Sequence, residues 1–396
     1  MTAPIQRLPG LDALRASALV AGLVLHASLA YLPGAHYFWL VPDGGPQREG
    51  LLALSPLFYV IHALRMPVFF ALAGFWAWHS LQRKGVGPFV RDRARRIGLP
   101  LLLGWPLVMA GLVAALVLAS LIQHGPHAPP PPPGPRFTVD DFPLAHLWFL
   151  YLLLGCYGGW LLLRALLGRG LQRVAAPLAL GLARPGGPLL LALPVALVLY
   201  RTPYWIAWFG VPTPDRSLLP GGAALTAYGL SFACGVLLAA HPALLRAWAR
   251  RWRGHALLCA VGLGVGLFTL GLAPALLPEA QGLRKAVLAL AYAGAASFGM
   301  AALLGAAQGW RCPPWAAELS QASYWIYLVH LPLVLALQAL FKPLALPLGL
   351  KFGAVCALAL ALAWLSDRAW VRASWLGAAL NGRRRVPLWR AGTMAP

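Results

Sequence analysis

The sequence predicts an all-α, polytopic membrane protein of about ten transmembrane helices with both termini cytoplasmic. Three observations carry that prediction: 60% of the 396 residues are hydrophobic, only 11% are charged, and the apolar residues gather into long runs. A soluble domain carries roughly 25% charged residues and has no means of hiding so much apolar side chain. Disorder is excluded as well, because disordered chains are poor in apolar residues and rich in charge. A helix needs about 20 apolar residues to cross the hydrocarbon core, so a chain of this length with short loops has room for about ten crossings.

In chain order the runs fall at 11–32, 56–79, 97–123, 146–167, 186–200, 222–240, 255–277, 285–308, 323–341 and 347–371. The fifth is short and leads into Tyr204, Trp205, Trp208 and Phe209, the pattern of a broken or interfacial segment. Orientation follows from the connectors. With the N-terminus inside, Lys and Arg number six in 82–96, four in 164–184, four in 241–254, one in 309–322 and six from 368 onward, together with Arg7. The opposite connectors hold Arg48, Arg136, Arg201, Arg216, Arg284, Lys285, Lys342 and Lys351. This asymmetry is the positive-inside signature, and it accounts for most of the net charge of +22. Such an excess in a soluble chain reads as nucleic-acid binding; here it is an address, and no nucleic-acid partner is expected.

Residues 1–372 thus form a transmembrane domain and 373–396 a basic cytoplasmic tail. The run Pro129–Pro133 in the connector 124–145 favours a stiff polyproline II spacer. The five cysteines show no CxxC and no pairing pattern, which argues against a disulfide scaffold or a thiolate metal site. No P-loop, dinucleotide fingerprint or internal repeat is present.

Ionisable side chains inside an apolar run are costly and mark functional positions. Arg15 and His26 lie eleven residues apart in the first run. On a helix that spacing puts them on one face to within about 20°, about 16 Å apart along the axis. Asp12 stands at i,i+3 to Arg15, where a carboxylate can pair with the guanidinium; snorkelling at the interface explains Arg15 equally well but leaves His26 unexplained. In the second run His62 and Arg65 are again i,i+3, and Pro67 follows. An unpaired arginine facing lipid is implausible, so Arg65 should face a polar interior. His330 sits in the ninth run three residues after Tyr327. Arg91–Arg96 leads into the third run; its arginines either serve topology alone or bind phosphates. Only Asp12 and Asp367 among the ten acids touch spans, whereas proton-relay transporters carry buried acids.

Five segments carry a family resemblance: LDALRASALVAGLVLHASLAY, IHALRMPVFFALAGF, RARRIGLPLLLGWPL, HLWFLYLLL and ASYWIYLVHLPLVL. In this order and spacing they resemble the membrane acyltransferase-3 family, whose first helix carries Arg, ten residues and His, here Arg15 and His26. The family's Arg-x-x-Arg motif falls on Arg93 and Arg96. Within the family the likeness is to the enzymes that succinylate periplasmic glucans. The resemblance implies a multi-pass enzyme of the bacterial inner membrane. It would move a succinyl or acetyl group from cytoplasmic acyl-CoA, a co-substrate with no permanent cofactor beside it, to a hydroxyl of an extracytoplasmic glycan such as a glucan. Membrane lipids, acyl-CoA, the glycan acceptor and other glycan-synthesis proteins are the expected partners.

On that reading His26 is the general base, with His330 a supporting or alternative base. Arg15 or Arg65 answers the charge that develops on the thioester oxygen, and His62 accompanies Arg65. Asp12 orients Arg15, and Arg93 and Arg96 hold the CoA phosphates. Trp148, Trp205 and Trp208 are candidates to stack on sugar rings. The catalytic residues should line a polar channel between the first, second and ninth helices. The rival reading is an exporter of a glycan or lipid-linked sugar in which the same residues line a pathway; the scarcity of buried acids and the lack of a repeat weigh against it.

Overall fold

Apolar segments in lipid must close their backbone hydrogen bonds within themselves, and this chain does so by helices. The computed structural model describes residues 8–43, 50–127, 134–168, 170–374 and 377–378, among which there is no strand. Arg7, Pro129–Pro133 and most of the tail 373–396 lie outside the described residues. The helices are α1 (Pro9–Ser28), α2 (Leu54–Lys84), α3 (Val86–Arg93), α4 (Leu99–His124), α5 (Trp148–Leu167) and α6 (Gly170–Leu182). They continue with α7 (Leu189–Arg201), α8 (Gly222–Ala240), α9 (Pro242–Leu270), α10 (Leu283–Ala306), α11 (Pro314–Phe341) and α12 (Leu348–Ser366).

Nine helical stretches among the described residues are long and apolar enough to cross a membrane. The fifth run, already short in the sequence, forms α7, a helix of 13 residues that is shorter than a span and ends near the aromatic loop around Trp205. Two further departures concern the basic connectors. Arg91–Arg96 is helical and continuous with the third span, because α3, a wide π turn at Ala94–Gly98 and α4 run together as Val86–His124. The connector 164–184, read from sequence only as charge, contains α6, with Ala179 and Leu182 buried and Val174, Leu178 and Leu180 exposed. That is an amphipathic helix of the interfacial kind.

The core forms around α10, α1, α8 and α2, the helices with the largest buried shares of their apolar windows. α2 runs unbroken through Pro67 and packs on α1, α8 and α10. At the α2–α8 crossing a Cβ on Gly235 would stand 1.9 Å from the Ala71 carbonyl oxygen, and one on Gly74 would stand 2.0 Å from that of Phe232. Two helices come this close in a membrane only where side chains are absent. On its other side α1 packs against α11 and α12, and α11 packs against α4. α1, α2 and α11, the helices that carry the ionisable residues, are therefore neighbours.

Candidate active site

A cavity of about 400 Å³ opens between α1, α2, α5 and α11. Arg15, His26, His62, Arg65, Arg93, Arg96 and His330 all line it, and no aspartate or glutamate among the described residues does. Asp12 stands just behind, its carboxylate 3.6 Å from the Arg15 guanidinium. The sequence spacing on α1 holds: Arg15 and His26 share the cavity face from opposite ends of the helix.

The end at Arg15 is basic. Arg15 Nε donates to Ser320 Oγ at 3.0 Å and Nη2 to the Ser320 carbonyl at 3.2 Å. Arg93 and Arg96 are gathered by Asp92, which lies 3.0 Å and 3.1 Å from their nitrogens and 2.9 Å from Lys84 Nζ. Arg93 and Arg96, three residues apart and so neighbours on one helix face, both line the cavity. The Arg93 guanidinium lies over the rings of Phe89 and Tyr157, at 5.2 and 5.4 Å from their centroids. This contact holds the planar group, whose Nη2 is engaged by Asp92 and Ser80.

The other end is built from imidazoles. The His26 and His330 rings are 5.2 Å apart, and His146 and His330 are 5.0 Å apart. His330 Nδ1 is 2.7 Å from the Tyr327 carbonyl oxygen and His146 Nε2 is 3.0 Å from the same oxygen. A carbonyl only accepts, so both nitrogens carry protons, which assigns the tautomers and leaves His330 Nε2 and His146 Nδ1 as the basic atoms. Tyr327 Oη in turn donates to the His146 carbonyl at 2.5 Å, closing α5 onto α11. His26 stacks on Trp39, which donates to Gln338 Oε1 at 2.8 Å, and Gln338 donates to the Ala27 carbonyl at 3.0 Å. His26 Nδ1 is buried and has no hydrogen-bond partner among the described residues. His62 does not pair with Arg65; its Nδ1 lies 3.3 Å from Tyr292 Oη. Arg65 Nε is buried without a hydrogen-bond partner among the described residues.

Sequence reasoning missed His146, Ser320 and Trp39. His146 opens the fourth run, inside HLWFLYLLL, where it reads as a flank; Ser320 precedes the ninth run as bounded by hydropathy. Nothing local marks Trp39. Two of the candidate sugar platforms are displaced from the cavity. Trp205 donates to the Gly210 carbonyl at 2.6 Å, Trp208 packs against Phe58 and Tyr59, and both are fully buried away from it. Trp148 does line the cavity. The aromatic loop packs on itself at Trp205 and on α2 at Trp208, which takes both indoles away from the cavity.

An acyltransferase domain model matches residues 8–368, nearly the whole described chain. The chain belongs to the acyltransferase-3 family. It resembles glucans biosynthesis protein C of Escherichia coli O6:K15:H31 (strain 536 / UPEC), 27% identical over 157 residues, and that of Escherichia coli SMS-3-5, 28% identical over 155 residues. Each match covers 38% of this chain and 37% of the relative, so the chain spans little more than a third of the relatives' length. No solved structure matches the chain significantly. The chain is thus an all-α member of that family, with nine helical stretches among the described residues long and apolar enough to cross a membrane.

Proposed function

We propose that the chain transfers a succinyl or acetyl group from cytoplasmic acyl-CoA to a hydroxyl of an extracytoplasmic glycan, in the bacterial inner membrane. The observation that carries this reading is a single cavity with arginines at one end, imidazoles at the other and, among the described residues, no carboxylate in its lining. A cavity so charged suits a ligand that is anionic at one end and reacts at the other, as a CoA thioester does. Arg93 and Arg96, joined by Arg15, hold the phosphates through charge-assisted hydrogen bonds. Asp12 and Ser320 aim Arg15.

The hydroxyl oxygen attacks the thioester carbonyl carbon while His26 takes the hydroxyl proton. Negative charge collects on the carbonyl oxygen, and Arg65, free of any ion pair among the described residues, is placed in the cavity wall to answer it. The C–S bond then breaks, the proton passes from His26 to the CoA sulfur, and the acyl ester remains on the glycan. His330 and His62 flank the base. The name of the relatives supports a glucan as the acceptor.

The test is to incubate membranes containing the full chain with labelled succinyl-CoA and acetyl-CoA and to identify the acylated glycan by mass spectrometry. Label in a glycan ester together with free CoA is the expected result. The exporter reading predicts the reverse: movement of a glycan across proteoliposomes with no acyl-CoA consumed. That outcome would remove the acyl-transfer reading.

A further inference from the structure

Gly22 is buried on α1, seven residues after Arg15 and four before His26. At 1.5 Å per residue it lies about 10 Å from the first and about 6 Å from the second along the axis. A Cβ built on Gly22 would stand 2.5 Å from Nη1 of Arg65 and 3.4 Å from its Cδ and Cζ. Non-bonded heavy atoms settle at about 3.5–4 Å, so the guanidinium reaches from α2 across α1 through the notch that the missing side chain leaves.

At Gly235 and Gly74 the atoms that exclude a Cβ are backbone atoms of the opposite helix; at Gly22, as at Gly266 against Tyr59, all three nearest atoms belong to one side chain, here the charged one of Arg65. Gly22 also has no left-handed backbone conformation to require it, and glycine inside a helix forfeits helix propensity. The beneficiary is a guanidinium that lines the cavity with its buried Nε unpartnered.

We propose that Gly22 is a positioning residue of acyl transfer. Its absent side chain seats the Arg65 guanidinium about one helical turn short of His26 and so fixes the depth at which the acyl carbonyl reacts. This inference rests on the acyl-transfer reading above. It also bounds the donor: about 10 Å of helix separates the level of Arg15 from that of Arg65, which the arm between phosphate and thioester must span.

The atom that an added methyl displaces is the end of a flexible side chain, so Gly22→Ala turns Arg65 aside without opening the helix packing. In the solubilised full chain, Gly22→Ala should lower kcat by about 10²-fold while leaving KM for acyl-CoA within about two-fold. An active enzyme whose kcat is unchanged by Gly22→Ala overturns the proposal and leaves acyl transfer standing; a wild-type chain that releases no CoA from either donor overturns both. A second arm reads no activity. In an Arg65→Ala background the notch is empty, and Gly22→Ala should raise the thermal denaturation midpoint through helix propensity. With Arg65 present it should not. Equal rises in both backgrounds show that residue 22 and Arg65 do not meet and overturn the proposal.

Discussion

A guanidinium inside a membrane persists where something answers its charge, and the four arginines of the cavity are answered in different ways. Arg15 has Ser320 and Asp12; Arg93 and Arg96 share Asp92; Arg65 has no ion-pair partner among the described residues. Those that are tied down suit binding, and the untied one suits a charge that appears only during reaction. This division separates two variants. Ser320→Ala removes a hydrogen bond to a charged group, worth about 1.5 kcal/mol or more, so KM for acyl-CoA should rise about ten-fold with kcat nearly unchanged. A fall in kcat at constant KM would instead move Arg15 to the reacting carbonyl. His26→Ala should behave oppositely, lowering kcat by about 10²–10⁴-fold in a single-turnover assay and leaving donor KM alone. His330, whose Nδ1 proton is engaged by the Tyr327 carbonyl, should cost less when replaced by Ala than His26 does; a larger loss would make His330 Nε2 the base.

Helices place these residues, and the α2–α8 crossing is where placement is most exposed to substitution. Gly235 faces the Ala71 backbone, which has no side-chain freedom to give. Gly235→Val must push the helices apart, and overpacking of this kind costs about 1–3 kcal/mol. It should lower the denaturation midpoint in detergent and depress kcat together, because α2 carries both His62 and Arg65; an unchanged midpoint would show that the crossing yields freely. Elements of this kind were legible unequally in the sequence. Long spans announce themselves through hydropathy, and Arg15, His26, Arg65 and His330 stand out because charge in an apolar run is rare. α6 was hidden because its connector is basic and its apolar face is short, interrupted by Pro177. His146, Ser320 and Gly22 were illegible for another reason. Each gains meaning from a residue far away in the chain, Tyr327, Arg15 and Arg65 respectively, and a single sequence carries no record of that contact.

On the scale of the whole molecule the cavity is asymmetric from end to end, and its histidine end is covered by the loop that follows α1. Asp43 N donates to the Ala30 carbonyl, and its carboxylate lies 2.9 Å from Lys351 Nζ in a pair that is wholly buried. Lys351→Met removes the cation from a buried carboxylate and should cost about 3–5 kcal/mol, seen as a lower denaturation midpoint, with part of the loss recovered when Asp43→Asn is added. The same asymmetry sets direction. The connectors at the Arg93 and Arg96 end hold most of the basic residues, so on the proposed function the positive-inside rule assigns that end to the cytoplasm and to the acyl-CoA donor. On the same proposal the imidazole end serves the acceptor from the opposite side. Sealed inverted vesicles carrying the full chain should therefore release CoA from added acyl-CoA, whereas sealed right-side-out vesicles should do so only after permeabilisation. Labelled acyl glycan should accumulate in the lumen of the inverted vesicles. Equal rates in both sealed preparations would mean that donor and acceptor enter from the same side, and the vertical division of the cavity between arginine and histidine would need another explanation.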